Sequence, residues 1–293
     1  MKNLFRCVTI IAICLLLTGC PPAPTHEGYF GETKPMSEVV ANINANNQKI
    51  TTLWSQFSYE LWVHDQDEKK TEHYVHDTGV LLYAKPNEFL MRGNSIKGLL
   101  FEVGSSAGED AQFWVTVTEG MRSQMWGHYK NLGKPCMKMK NVPIRPDLLI
   151  EVLGVSDFDT NFLKPPVPVM KFINDAGGFY SFTWSVRAAD RWVAVKEVWY
   201  NRDYLPIKVL LFDENGRILI RADLTEHREL EGGDGRKIAT QYKLFFPDTK
   251  DALNFRYLNA KVSQKGIPRP GTIRRRDPGD DIRQVQIDEN CVD

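Results

Sequence analysis

The stretch GVLLYAKPNEF, residues 79–89, decides the fold class of this chain. A strand-like apolar run over 79–83 is followed by Pro86 and Asn87, and a second such run covers 89–92. Proline and asparagine favour turns, and successive strands this close together must mostly pair as antiparallel hairpins. The stretch therefore predicts a strand, a turn and a returning strand.

The same pattern extends outward from this unit in both directions. Upstream, Phe57, Tyr59, Leu61 and Val63 alternate with more polar neighbours and predict a long strand that ends near His64. Turns rich in Gly, Asp and Asn at 213–216 and 232–235 separate later strands. We predict further strands at 99–103, 113–117, 122–128, 179–186, 192–200, 207–212, 217–226, 238–246 and 253–262.

Two segments have helical spacing instead. Beginning at Ser37, a candidate N-cap that follows Pro35, apolar residues recur at three- and four-residue steps as far as Trp54, which predicts one amphipathic helix. In mid-chain, Pro146 precedes a stretch of the same spacing, which predicts a second helix over 147–153.

These elements predict a mainly β (α+β) fold, in which about eleven strands form a single strongly curved antiparallel sheet, an unclosed barrel with both helices as a lid. The concave face carries more apolar side chains than two short helices can cover, and the excess predicts a pocket for an apolar ligand. Ordinary core packing is the alternative for each lining residue, because a shift of one residue in register reverses the faces. The residues expected to line the cavity are Trp62, Tyr83, Phe89, Met91, Phe101, Trp114, Trp126, Leu149 and Leu153.

Residues 79–89 resemble the strand, Arg/Lys-Pro-Asn turn and strand of the LolA/LolB lipoprotein carriers and receptors, and the order of elements over 36–262 agrees. The resemblance implies an unclosed β-barrel whose apolar cavity receives the acyl chains of a lipoprotein or another lipid. In the carriers an arginine before the Pro-Asn turn holds the cavity shut. That gating position is Lys85 here, and a lysine cannot form the bidentate fork of an arginine.

The N-terminus has the layout of an export signal. Lys2 and Arg6 precede an apolar run over 8–17, and about ten such residues are too few for a membrane span of roughly 20. The run ends in Leu-Thr-Gly-Cys, which resembles the lipobox of bacterial lipoproteins and implies lipidation of Cys20. We predict a signal peptide at 1–19, a flexible linker at 20–35, the half-barrel domain at 36–264 and an extended tail at 265–293.

Charge and cysteine content narrow the class of partner. The 37 basic and 37 acidic residues balance, so no global field calls for nucleic acid. The expected partners are lipid or lipoprotein acyl chains, a membrane held through the Cys20 anchor, and a possible protein partner; no cofactor is expected. The anchor predicts an envelope location, and Pro21 favours the outer membrane, facing the periplasm. Cys136 and Cys291 can form a disulfide or remain two thiols.

Other functions rest on weaker patterns. Residues 104–108 fit the G-x-S-x-G motif around Ser106, but the nucleophile of this motif needs a strand-to-helix turn. Here the segment that follows is predicted to be a strand, so we expect no enzyme. His64, His73 and His76 lack the spacing of a metal site, and none is expected. The remaining alternative is an envelope sensor or protein-interaction module on the same fold.

Overall fold

The structure, a computed structural model, describes residues 28–29, 31–65, 69–119, 122–132, 134, 136–137, 144–231, 235–261 and 273–291. The predicted signal peptide, the lipidation site Cys20 and the linker as far as residue 27 lie outside the described residues.

The strands fall into two groups along the chain. The first group is β1 (Thr52–Asp65), β2 (Lys70–Ala84), β3 (Glu88–Ser95), β4 (Gly98–Ser105), β5 (Gln112–Val117) and β6 (Ser123–His128). The second group is β7 (Val167–Ile173), β8 (Phe179–Ala188), β9 (Arg191–Tyr200), β10 (Pro206–Phe212), β11 (Ile218–Thr225), β12 (Arg228–Glu229), β13 (Lys237–Ile238), β14 (Gln241–Phe246), β15 (Asp251–Lys261) and β16 (Arg283–Gln286).

Fourteen of these strands form one curved sheet in the order β16-β6-β5-β4-β3-β2-β1-β15-β14-β11-β10-β9-β8-β7. Every pairing in it is antiparallel except that of β16 with β6. The end strands β16 and β7 do not pair with each other in the part of the chain described, so the sheet is unclosed. The predicted fold class is confirmed.

Two α-helices, α1 (Met36–Asn47) and α2 (Pro146–Val152), lie against the sheet. The mid-chain helix agrees with its prediction to within one residue. The first helix is shorter than predicted and is preceded by Pro35 as its N-cap. Trp54 lies in β1, opposite Leu82 of β2 and Lys261 of β15. Pairing on both sides of this central strand outweighs the helical spacing of its apolar residues.

A single apolar core joins the helices to the inner face of the sheet. Val39, Val40 and Ile43 of α1 are at most 1% exposed and pack in the same cluster as Leu149 of α2 and Phe57 of β1. Burial of each such side chain contributes about 1.5–3 kcal/mol. The two helices are therefore held on the concave side, and over the described ranges neither is long enough to span a bilayer.

The second half of the sheet holds a strand that the sequence pattern did not reveal. Strand β7 follows Pro165 and Pro166 and contains Pro168, residues that lower the strand signal. Because β7 is an edge strand, a missing backbone donor is tolerated there.

The C-terminal segment is attached to the sheet rather than free. Strand β16 pairs in parallel with β6, and Ile287 is buried against Phe113 and Met125. A disulfide joins Cys136 to Cys291 with a Cα–Cα distance of 5.2 Å, within the usual range for this bond. Within the predicted tail 265–293, the segment Arg283–Gln286 thus extends the sheet at the β6 edge.

Candidate functional site

Six of the nine predicted cavity residues lie together on the inner face. They are Tyr83, Phe89, Met91 and Phe101 on β2 to β4, and Leu149 and Leu153 at α2. All six belong to the core cluster and none is more than 8% exposed. They pack with the other core side chains rather than around an open hollow, so their part in ligand binding stays a prediction.

The three predicted tryptophans lie on the opposite, outer face. Trp62 stacks on His73 with ring centroids 4.6 Å apart. The indole of Trp114 donates a 2.8 Å hydrogen bond to Glu102, and Trp126 is its neighbour on the next strand. Successive side chains of a strand point to opposite faces, and the adjacent residues of these three pack toward the core. We correct their assignment: they cannot line a cavity on the inner face.

The C-terminal segment covers part of this outer face. The guanidinium of Arg275 lies 4.1 Å from the centre of the Trp126 ring and donates a 2.9 Å hydrogen bond to Gln124. Arg275, the middle residue of the run Arg274-Arg275-Arg276, is thus used in internal packing.

Lys85 joins three separate segments at one end of the core. Its ammonium donates a 2.9 Å hydrogen bond to the carbonyl of Asn47 at the end of α1 and a 2.7 Å hydrogen bond to Asp157 in the loop after α2. The lysine side chain is 18% exposed. The ammonium thus binds two separate acceptors, one in α1 and one in the loop after α2. Whether the contacts gate the core stays a prediction.

Two asparagines of α1 make the other polar links to the loop 153–159. Asn44 accepts a 2.8 Å hydrogen bond from the backbone N–H of Phe158 and donates a 3.1 Å hydrogen bond to its carbonyl. Asn47 donates a 2.9 Å hydrogen bond to the carbonyl of Ser156. We call α1, α2 and the loop 153–159 the lid. The sequence signal for these links was an amide on the buried face of an amphipathic helix.

Beside the lid, a cleft of about 200 Å³ opens over β8 and β9. Its apolar lining includes Phe158, Trp184, Val198 and Tyr200. At its rim Lys196 pairs with Glu151 at 2.8 Å, and the same ammonium lies 4.4 Å from the centre of the Trp184 ring. The predicted cavity residues that lie on strands belong to the first half of the sheet, whereas this cleft lies on the second half.

Two tyrosine hydroxyls near the lid remain neutral. Burial, and then the negative charge of Glu151, raises the pKa of Tyr200. Burial raises the pKa of Tyr83 as well, with smaller contributions from Glu151 and Asp157. Both side chains therefore stay protonated at physiological pH, and neither adds a charge to the inner face.

Comparison with known proteins yields fold likeness only. No protein-family model matches the sequence, and no curated protein matches it. A domain from Vibrio parahaemolyticus named for outer membrane lipoprotein sorting is 10% identical with a TM-score of 0.46, covering 79% of this chain and 93% of that one. A DUF1329 family protein from Desulfovibrio piger is 11% identical with a TM-score of 0.47, covering 80% and 95%. A LolA superfamily protein from Nitrosomonas europaea is 10% identical with a TM-score of 0.47, covering 81% and 99%.

The structures to which this chain is similar thus include proteins of the kind that its sequence resembles. Identities near 10% and TM-scores below 0.5 carry no argument about function, which therefore rests on the lid and the inner face.

The hydrolase motif lies in an unsuitable place. Ser106 follows β4 in a loop that leads into strand β5, whereas the nucleophile of such enzymes needs a strand-to-helix turn. Its hydroxyl accepts a 2.9 Å hydrogen bond from the backbone N–H of Gln112. The geometry of this loop therefore does not support Ser106 as a nucleophile.

The three histidines make separate contacts. His64 lies 3.1 Å from the hydroxyl of Thr71, and His73 stacks on Trp62 as described above. The ring of His76 packs against Tyr59, with centroids 5.5 Å apart. Among the described residues, no group of three potential metal ligands occurs.

Proposed function

We propose that this protein binds acyl chains of a lipoprotein or another lipid between its sheet and its lid, and that it acts in envelope lipoprotein or lipid trafficking. The observation that carries the proposal is a predominantly apolar inner face under a lid that a few polar side chains hold in place. Residues 36–264 would form the binding domain.

The energetics of such a site favour exchange. An acyl chain gains about 0.8 kcal/mol for each methylene removed from water. In the closed form, the lid already buries the inner face, so a guest gains only the difference between its own contacts and those it displaces. A nearly balanced exchange suits a protein that must both accept and release its cargo.

The polar links then control access. Lys85, Asn44 and Asn47 connect the β2–β3 turn, α1 and the loop after α2. Breaking them frees the lid without changing the sheet. We propose that Lys85 serves as the gating residue in place of an arginine.

The proposed membrane anchor sets the role within trafficking. Acyl groups on Cys20 would hold the chain at a bilayer, since more than one chain is needed for stable attachment. A tethered protein is suited to act as a resident acceptor rather than as a shuttle. We place it at the outer membrane, facing the periplasm.

Native mass spectrometry of the full chain purified from membranes in mild detergent tests the proposal. We expect a noncovalent lipid on the protein, lost on collisional activation while the covalent Cys20 modification remains. Titration of the same preparation with a fluorescent sixteen-carbon fatty acid should saturate at one site. An empty protein with no saturable binding would refute the proposal and favour the protein-interaction alternative.

A further inference from the structure

Phe158 fills a recess lined by aromatic rings on the inner face of β8 and β9. Its ring centroid lies 4.9 Å from that of Phe182, 4.9 Å from that of Trp184 and 5.8 Å from that of Tyr200. Phe158 is only 8% exposed. The recess therefore already holds one apolar group that the sheet does not supply.

The recess and the ring that fills it belong to different parts of the molecule. Phe182, Trp184 and Tyr200 are fixed by the pairing of β8 with β9. Phe158 belongs to the lid. The side chain of Asn44 holds Phe158 there through hydrogen bonds to the backbone N–H and carbonyl of Phe158. Movement of the lid would withdraw the ring and leave the recess in place.

Open space adjoins the ring. The cleft of about 200 Å³ is lined by Phe158 and by two of the residues that form the recess, Trp184 and Tyr200. An apolar cavity of ~150 Å³ is enough to bind benzene. Withdrawal of Phe158 would join the cleft to the recess and lengthen the space available to a guest.

The charges around the cleft favour an uncharged guest. Its lining contains five charged side chains, and each is already paired: Glu151 with Lys196, Asp159 with Lys164, and Asp157 with Lys85. A charged ligand group would have to break one of these pairs, whereas a hydrocarbon chain needs no polar partner. The aromatic part of the lining, Phe158, Trp184 and Tyr200, thus suits the apolar part of a lipid.

We propose that the cleft and the recess beneath Phe158 form the subsite for the terminal methylenes of an acyl chain, with Phe158 as a built-in plug that the chain displaces. This inference rests on the proposed function and specifies where the guest lies. It places the chain end on β8 and β9, away from the residues of β2 to β4.

Fluorescence quenching by dibromostearic acid tests this placement, because bromine quenches tryptophan only at short range. Trp184 faces the recess, while Trp62, Trp114 and Trp126 lie on the outer face. We expect saturable quenching of the full chain. In Trp184→Phe most of this quenching should disappear, although equilibrium dialysis with radiolabelled stearic acid should still show binding.

A second variant tests the plug. Phe158→Ala should bind stearic acid at least five-fold more tightly, because the recess is no longer occupied in the closed form. Phe179→Ala is the matched control: Phe179 stacks on Trp199 on the outer face and is equally buried. The control should leave the affinity unchanged. If Phe158→Ala fails to fold, judged by circular dichroism, Phe158→Leu gives the same comparison with a smaller expected gain.

The outcomes separate the two proposals. Saturable binding could occur with quenching that persists in Trp184→Phe, or with an affinity that the Phe158 variants do not change. Either result would place the acyl chain elsewhere. The subsite would then be wrong, and acyl binding would stand. Absence of saturable stearic acid binding in every variant would overturn the proposed function and the subsite together.

Discussion

Removal of the Lys85 ammonium is the most direct perturbation of the lid. Lys85→Met keeps the aliphatic stem and deletes both donors. Neither acceptor is left stranded: the carbonyl of Asn47 also accepts a 2.9 Å hydrogen bond from the N–H of Ile50, and the side chain of Asp157 is 41% exposed to solvent. The full penalty for a buried unpaired group therefore does not apply.

The expected loss follows from the two contacts. A hydrogen bond from a charged donor contributes about 1.5–3 kcal/mol, and the lower end applies because Asn47 keeps another donor. The ion pair with Asp157 adds roughly 0.2–1 kcal/mol, since the Asp157 side chain is 41% exposed to solvent. We expect Lys85→Met to lower the free energy of unfolding by about 2 kcal/mol, with no more than about 1 kcal/mol of coupling to Asp157 in a double-mutant cycle.

Urea unfolding of wild type, Lys85→Met, Asp157→Asn and the double variant measures these quantities, provided that the m-value stays constant. Lys97→Met, in the exposed β3–β4 turn, serves as the control and should stay within about 0.5 kcal/mol of wild type. Stopped-flow loading of a fluorescent fatty acid should be faster in Lys85→Met than in wild type or in Lys97→Met. Unchanged stability would show that Lys85 does not hold the lid, and lower stability without faster loading would show that the lid does not limit access.

Two further predictions concern the C-terminal segment. Replacing Cys136 and Cys291 with serine removes a cross-link between residues 155 apart in sequence. Its constraint on the unfolded chain contributes at most about 5 kcal/mol to stability. We expect faster hydrogen exchange in β6 and β16, and unchanged protection there would contradict this. Burial alone would raise the pKa of Asp288, but hydrogen bonds from Asn131, from the backbone and ring of His128 and from a nearby glutamine outweigh it and lower the pKa to about 2. Because this folded-state pKa lies below the unfolded value of about 3.9, the carboxylate stabilises the fold above pH ~4, and this contribution, on the order of 2 kcal/mol, is lost as the pH falls toward 2. Asp288→Asn should flatten the acid limb of the stability profile, and a limb parallel to that of wild type would exclude the role.

The sequence by itself determined the fold class and most of the element order. The alternation at Phe57 to Val63, the turn at Pro86 and Asn87 and the short helix after Pro146 are local signals, because each depends on residues within one element or one turn.

Tertiary structure decided which face each strand buries and which distant segments meet. Pairing with neighbouring strands makes the side chains of Trp62, Trp114 and Trp126 point to the outer face. A shift of one residue in strand register would have pointed them to the inner face. Asn44 and Phe158 are 114 residues apart in sequence, and their contact exists only because the sheet brings α1 and the loop after α2 to the same end of the core. No periodicity within either segment encodes such a contact, so the polar links of the lid and the aromatic recess became visible only in three dimensions.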